Sequence, residues 1–185
     1  MNKNILLIQF SSRKQGNCAA IAQYIANYHN EDRVSCFVVD SNTMPACGNC
    51  DYECLKAQEN CPNLTAAQRS IFDAICCSDI VYLILPNYCG FPCASYFAFN
   101  ERSVGYFNMD RALMQKYLSV RKHFIVVSNT EGANFEMPLT QQVTGTPDIL
   151  YLKTSKYGKK SIAGDMLDSD IAKADLKAYL DLVTI

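Results

Sequence analysis

Asn4–Phe10 (NILLIQF) followed by Ser11–Cys18 (SSRKQGNC) is the stretch that decides the fold. The first part is a nearly continuous apolar run, the pattern of a strand buried on both faces. The second is a polar loop with one Gly. Beyond it Cys18, Ile21, Ala22, Ile25 and Tyr28 recur at helical spacing as far as His29. Strand, loop and amphipathic helix then repeat along the chain. Val34–Asp40 reads as the second strand, and Ser41–Asn63 as a cysteine-bearing insertion with Pro45 and Pro62 near its ends. Thr65 and Gln68 have the spacing of a capping box, opening a helix to about Cys77 with the stripe Ala67, Ile71, Ala74 and Ile75. Ile80–Leu85 is the third strand, ended by Pro86. Helices are expected over about Pro92–Arg102 and Asn108–Leu118, and His123–Ser128 is the fourth strand. Glu131–Thr146 holds a loop and a helix that Pro138 shortens or kinks. Asp148–Thr154 is the fifth strand. Ser169–Val183 closes the chain as an amphipathic helix with Ala172, Leu176, Tyr179 and Val183 on one face.

Strands alternating with helices imply right-handed crossovers and a parallel sheet. Five strands in 185 residues predict one α/β domain spanning 1–185, with an insertion at about 41–63. The expected fold is the flavodoxin-like doubly wound sheet, order 2-1-3-4-5, with helices on both faces. Composition narrows the function. Lys plus Arg is 17 and Asp plus Glu is 18, a net charge of −1, without the basic excess of a nucleic-acid or membrane-surface binder. The longest apolar runs fall far short of the roughly twenty residues of a membrane span, and Met1–Phe10 is too short for a secretory signal. The expected location is cytoplasmic.

Ligands of such sheets bind beyond the carboxyl ends of the strands, at the switch point. Three loops lie there. In Ser11–Cys18, hydroxyls, a Gly and free amides at a helix start make an anion site, to which Arg13 or Lys14 adds charge-assisted bonds. Neither a P-loop nor a GxGxxG fingerprint occurs. Leu85–Phe91 (LPNYCGF) presents two aromatics, a Pro and a Gly where a flat ligand can stack. Ser128–Gly132 (SNTEG) offers small polar groups to the same crevice.

Together these loops resemble the NADPH-dependent FMN reductase family of flavodoxin-like proteins, and more closely its iron–sulfur flavoprotein branch. The first loop is similar to the family's Ser-x-Arg-x-x-Gly-Asn-Thr phosphate loop at Ser11, Arg13, Gly16 and Asn17, with Cys18 in place of Thr. Pro86 and Tyr88 match its Pro-x-Tyr turn, and Gly164-Asp165 also has a family look. The resemblance implies an FMN-dependent NAD(P)H oxidoreductase, with hydride passing from NADH or NADPH to the flavin and electrons going on to an unidentified acceptor. Ser11, Arg13, Gln15, Asn17 and Cys18 would hold the phosphate. Pro86, Asn87, Tyr88, Cys89 and Gly90 would hold the ring, and Ser128, Asn129 and Thr130 would line the other side. No acid–base residue is named, since the flavin carries the chemistry. A homodimer or higher oligomer is implied, with Tyr96, Phe97, Phe99, Tyr106 and Phe107 as interface candidates, though aromatics at this spacing are more often core. The alternative is an electron-carrier flavoprotein without direct nicotinamide chemistry, and a third reading is a metal-binding or redox-sensing protein using its cysteines alone.

Ten cysteines are unusual for such a chain. Cys18, Cys36, Cys76, Cys77, Cys89 and Cys93 lie mostly in apolar contexts and read as small buried hydrophobes. His29 and His123 read as ordinary structural or surface residues. Cys47, Cys50, Cys54 and Cys61 fall within fifteen residues, where the iron–sulfur branch carries its cysteine run. Four thiolates suit a [4Fe–4S] cluster or, less readily, zinc; reduced thiols or adventitious disulfides are the other outcome. The second gap in the spacing is one residue longer than that branch's compact motif.

Overall fold

A computed structural model describes residues 2–48, 50–56, 61–107, 110–130 and 134–184. Its sheet is built from β1 (Asn4–Gln9), β2 (Arg33–Val38), β3 (Ile80–Tyr88), β5 (Arg121–Ser128) and β6 (Asp148–Lys153), with the two-residue β4 (Phe91–Pro92) hydrogen-bonded to the end of β3. The order is β2-β1-β3-β5-β6 and the pairings are parallel, apart from the antiparallel β3–β4 hairpin. With β4 set aside this is the expected 2-1-3-4-5 sheet.

Side-chain alternation along the strands divides the core in two. Ile5, Leu7, Ile80, Tyr82, Ile84, Ile125, Val127 and Leu152 face α1 (Asn17–Tyr28) and α6 (Asp170–Val183). Leu6, Ile8, Phe10, Val81, Leu83, Leu85, Phe124 and Val126 face α2 (Ala66–Cys76), α3 (Ala94–Phe107), α4 (Arg111–Ser119) and α5 (Glu136–Thr140). The Thr65–Gln68 capping box is present in both halves. Among the described residues no helix is long and apolar enough to cross a membrane.

Several expectations are corrected. Pro86 does not end its strand: β3 runs on to Tyr88. β1 reaches only as far as Gln9, opposite Ile84, so the strand has outrun one neighbour before Pro86 and a proline costs less there. Helix α3 passes Arg102 and continues to Phe107, because Gly105 is packed rather than solvated. The α2 stripe is Gln68, Ile71, Phe72, Ile75 and Cys76, while Ala67 is exposed. Cys36, Cys77 and Cys89 are exposed rather than buried. Cys36 lies on the edge strand β2, and Cys77 and Cys89 lie where elements end. Tyr96, Phe99 and Phe107 belong to the core, where Phe10, Phe72 and Tyr117 meet their rings, and only Phe97 of the five aromatics is exposed. The two histidines, by contrast, are structural residues as expected, both buried on carboxylates, His29 on Asp32 and His123 on Asp148. The expected helix starting at Asn108 begins at Arg111, with Asp110 as its cap; residues 108–109 and 131–133 lie outside the described residues.

Candidate functional site

The loops after β1, β3 and β5 close on one cleft of about 230 Å³ at the carboxyl edge of the sheet, lined by Ser11, Arg13, Gly16, Asn17, Cys18, Pro86, Asn87, Tyr88, Cys89, Val127 and Asn129. Ser161 and Ile162, from the segment after β6, complete it. A larger groove of about 560 Å³ lies between α1 and the open edge at β2, and meets this cleft only at Gly16.

At one end of the cleft α1 begins. Its N-cap is Gly16, and among the described residues no side chain caps its first turn, which also carries no acidic residue. By contrast Thr65, Asp110 and Ser169 cap α2, α4 and α6. The free N–H groups of α1 thus meet the cleft with the positive end of the helix dipole, and Arg13 lies beside them. Cys18 is buried in the first turn. Burial above all, and the nearby Cys93, push its thiol up from 9.0 to about 12, against a smaller opposing pull from Arg13. It therefore stays neutral and puts no negative charge beside an anion.

At the other end is a tight hairpin. Cys89 and Gly90 have φ of +55° and +86°, and Tyr88 pairs with Phe91 across them. Two left-handed residues in a two-residue turn suit the twist of the strands: Cys89 falls within the small left-handed region open to side chains, at some strain, while Gly90 lies beyond it and needs glycine's freedom. Tyr88 is 54% exposed and Ile162 72% exposed, so the cleft carries an uncovered apolar rim.

Three asparagines hold the walls. Asn17 Nδ2 donates to the Ser161 carbonyl at 3.1 Å, and its Oδ1 accepts from the Met166 N–H at 3.0 Å. Asn87 Nδ2 donates to Ser128 Oγ at 2.7 Å, and its Oδ1 accepts from the Gly90 N–H at 2.8 Å. Asn129 Oδ1 accepts from Thr154 Oγ1 at 2.6 Å and from the Ser161 N–H at 3.1 Å. The Asn17 and Asn87 side chains thus bind loops together while lining the cleft, each with one donor and one acceptor position so used. Ser128, 1% exposed, is likewise a staple, bonded to Asn87 and to both the N–H and carbonyl of Thr130. Gln15, Gly90, Ser128 and Thr130 sit in the expected loops without lining the cleft. Sequence reading missed Val127, Ser161 and Ile162. The only signal for the last two was that their segment follows the fifth long strand and so emerges at the same edge. Gly164, φ +79°, packs that segment on the loop after β1, where a Cβ would collide with the Gln15 carbonyl.

The cysteine loop lies elsewhere, against α3. Gly105 has Cys61 and Cys54 on its surface, and a Cβ there would stand 2.9 Å from the Cys61 Cβ. Cys61 is buried, Cys47 is exposed, and Cys50 and Cys54 are half-buried. The Cys54 thiol is pushed up by its own desolvation and then by the nearby Cys61, Cys47 and Cys50. Glu101 Oε2 accepts from the Cys47 N–H at 2.9 Å, and Asn63 Nδ2 donates to the Gly48 carbonyl at 3.2 Å. The donors fit a thiophilic metal in type and number. Among the described residues no three His, Cys, Asp or Glu side chains are already set to hold one. Residues 49 and 57–60 of this loop lie outside them.

No protein-family model matches the sequence, and neither does any curated protein. Solved structures do. The Trp repressor binding protein of Bacillus subtilis matches with a TM-score of 0.61 at 15% identity, covering 93% of this chain and 94% of that one. The flavoenzyme NAD(P)H:(acceptor) oxidoreductase of Paracoccus denitrificans matches with a TM-score of 0.55 at 13% identity, over 97% and 96%. An oxidoreductase of Corynebacterium diphtheriae gives 0.55 at 11%, over 96% of each chain. At these identities the likeness is one of fold, and it agrees with the strand order: the chain is a flavodoxin-like α/β domain.

Proposed function

We propose that this chain is an FMN-dependent oxidoreductase that draws hydride from NADH or NADPH and passes electrons to a separate acceptor. The observation that carries the reading is the cleft itself, with an uncapped helix N-terminus and Arg13 at one end and an exposed apolar rim at the other. The α1 N–H groups and Arg13 hold the phosphate by charge-assisted bonds. Cys18, kept protonated by burial, adds no repulsion. Tyr88 and Ile162 cover the ring, and the Asn87–Ser128 bond fixes the hairpin that presents Tyr88. A single phosphate site favours FMN over FAD. When bound, the flavin supplies hydride acceptance and onward electron transfer, while the chain binds it and orients it. Oxidoreductases among the structures of this fold support the reading.

The test is quenching of flavin fluorescence on titration, followed by steady-state oxidation of NADH and NADPH with FMN present. FMN should bind more tightly than riboflavin or FAD, and nicotinamide oxidation should depend on it. Equal affinity for FMN and riboflavin would remove the phosphate site; tight FMN binding without nicotinamide oxidation would leave an electron carrier.

The cysteine loop favours that second reading in part, because a thiolate-held centre could relay electrons. Cys47, Cys50, Cys54 and Cys61 are the proposed ligands, of a [4Fe–4S] cluster before zinc. Gly105 is eleven residues along α3 from Ala94, about 16 Å at helical rise, so the centre would stand apart from the ring-binding hairpin. Iron, sulfide and zinc assays on anaerobically prepared protein, beside Cys50→Ser, decide it. About four irons per chain, lost in the variant, is the expected result; metal at trace level in both would leave free thiols.

A further inference from the structure

Strand β2 is the open edge of the sheet, with β1 on its other side. The Arg33 N–H donates to the Lys3 carbonyl and the Val39 N–H to the Gln9 carbonyl, both at 2.9 Å. Backbone direction alternates along a strand, so residues 33, 35, 37 and 39 bond inward to β1. Val34, Cys36 and Val38 therefore turn their N–H and carbonyl groups outward. Among the described residues nothing bonds to the N–H of these three or to the Val34 and Cys36 carbonyls, while the Val38 carbonyl accepts from Thr43 Oγ1 at 3.1 Å. The same three side chains share the sheet face of Leu7, which is the α1 face. Cys36 is exposed there, on the groove of about 560 Å³ between α1 and β2, and Val38 is 38% exposed. Besides Leu7 and Cys36 that groove is lined by alanine, glutamine and glycine, with Lys14 as its one charge among the described residues.

An open edge is a template for another strand, and proteins blunt such edges with Lys, Pro or a bulge. β2 has none of these: its pairing with β1 is unbroken from Arg33 to Val38, and its one charge, Arg33, lies on the opposite face. The outward row also matches itself. Regular antiparallel pairing sets outward residues against outward residues. A two-fold axis at Cys36 does so, with Val34 against Val38 of the second copy and Cys36 against its own counterpart. Cys36 is also the midpoint of the run from Arg33 to Val39 that bonds to β1, so an axis there pairs the whole strand; an axis at Ser35 or Phe37 leaves one end over. Just past the ends Asp32 and Asp40 would come opposite, and each carboxylate is already turned onto its own chain, Asp32 on His29 and Asp40 on the Asn42 and Thr43 N–H groups. We infer that β2 is a self-association edge, to which a second copy of this chain adds antiparallel about a two-fold axis at Cys36, continuing the sheet through the pair.

Hydrogen-bonded antiparallel pairs stand about 5.5 Å apart at Cα, within disulfide reach, so Cys36 serves as the reporter. The wild-type chain, Cys36→Ser, Val38→Lys and Cys36→Lys are each followed by sedimentation velocity over a concentration series under reducing conditions, with thermal melts by circular dichroism alongside. Wild type and Cys36→Ser should dimerise with similar affinity. Each lysine variant should dimerise at least about tenfold more weakly while melting as wild type does, since it sets a charge into the apolar row. Wild type oxidised with copper phenanthroline should give a covalent dimer in which mass spectrometry finds Cys36 joined to Cys36. Exchange of the Cys36 amide hydrogen should slow as the protein concentration rises. A wild-type chain that stays monomeric overturns the inference. So does a dimer whose affinity both lysine variants leave unchanged, or a covalent dimer that lacks the Cys36 pair, since either places the contact elsewhere. Should Val38→Lys lose its melt, Cys36→Lys decides, because Cys36 is exposed; loss of the melt in both would make the row part of the fold alone and overturn the inference too.

Discussion

The cleft at the carboxyl edge of the sheet and the cysteine loop hang from the same sheet and are held in opposite ways. The cleft's walls bond to one another: Asn17 ties the first loop to the last, Asn87 ties the second to the third, and Asn129 ties the third to the last. Its shape therefore stands without a ligand. The cysteine loop is held from outside, by Glu101, Arg102 and Gly105 of α3. Its thiols do not close a metal site among the described residues. A cofactor with few contacts per wall needs the walls ready, whereas a four-toothed metal can supply the order of its own site on binding.

The strongest way to break the cleft is Gly164→Ala. A side chain at φ +79° that also meets the Gln15 carbonyl should cost about 2–4 kcal/mol of stability. It should also displace the phosphate loop, so flavin titration should show a large loss while the cysteines react as before. Unchanged FMN affinity in a folded Gly164→Ala protein would mean that the phosphate loop does not lean on the last segment. Arg13→Ala should weaken FMN by about 1.5–3 kcal/mol and leave riboflavin alone. That difference should narrow with salt, because Arg13 is exposed. Tyr88→Ala should cost about 1–3 kcal/mol of binding for FMN and riboflavin alike; no change in either would move the ring elsewhere.

Gly105→Ala tests the other region. Alanine favours the helix by up to about 1 kcal/mol, while its Cβ crowds Cys61, so the two effects oppose and stability should change little. Alkylation of Cys61 should speed up as the loop lifts. Flavin affinity should hold; if it fell in step, the two regions would be coupled through α3. Cys18→Thr has the smallest expected effect, a gain of about 1 kcal/mol in FMN binding from the hydroxyl. Its pH signature is sharper. The folded thiol keeps its proton to about 12, while an ordinary thiol gives it up near 9.0. The native state then holds more protons than the unfolded chain above about pH 9, and stability falls as pH rises. Melts of Cys18→Thr between about pH 8 and 10 should show a shallower fall than wild type.

Much of this was legible in the chain. Runs such as NILLIQF and IVYLIL specify doubly buried strands, and alternation with amphipathic helices specifies the sheet order, because period and crossover hand are local and chiral properties of the backbone. The loops after β1, β3 and β5 followed from that order, and with them Arg13 and Tyr88. What the sequence did not carry was the division of labour inside those loops. Asn17, Asn87 and Ser128 read as ligand groups and also staple the walls, which the sequence could not show because Asn17 bonds a residue 144 positions away and Asn87 and Ser128 bond each other across 41, in other loops. Ser161 and Ile162 carry no motif, and enter the cleft because Asn17, Asn129 and the close packing of Gly164 hold their segment on the first and third loops. Arg102 read as the end of a helix; its burial, and its bonds to the Pro45 and Ala46 carbonyls, exist only once the insertion folds back on α3. Periodicity determines which residues face a core. Which polar groups spend their hydrogen bonds on the protein, and which remain for a ligand, depends on distances between segments remote in sequence, and only the tertiary structure decides it.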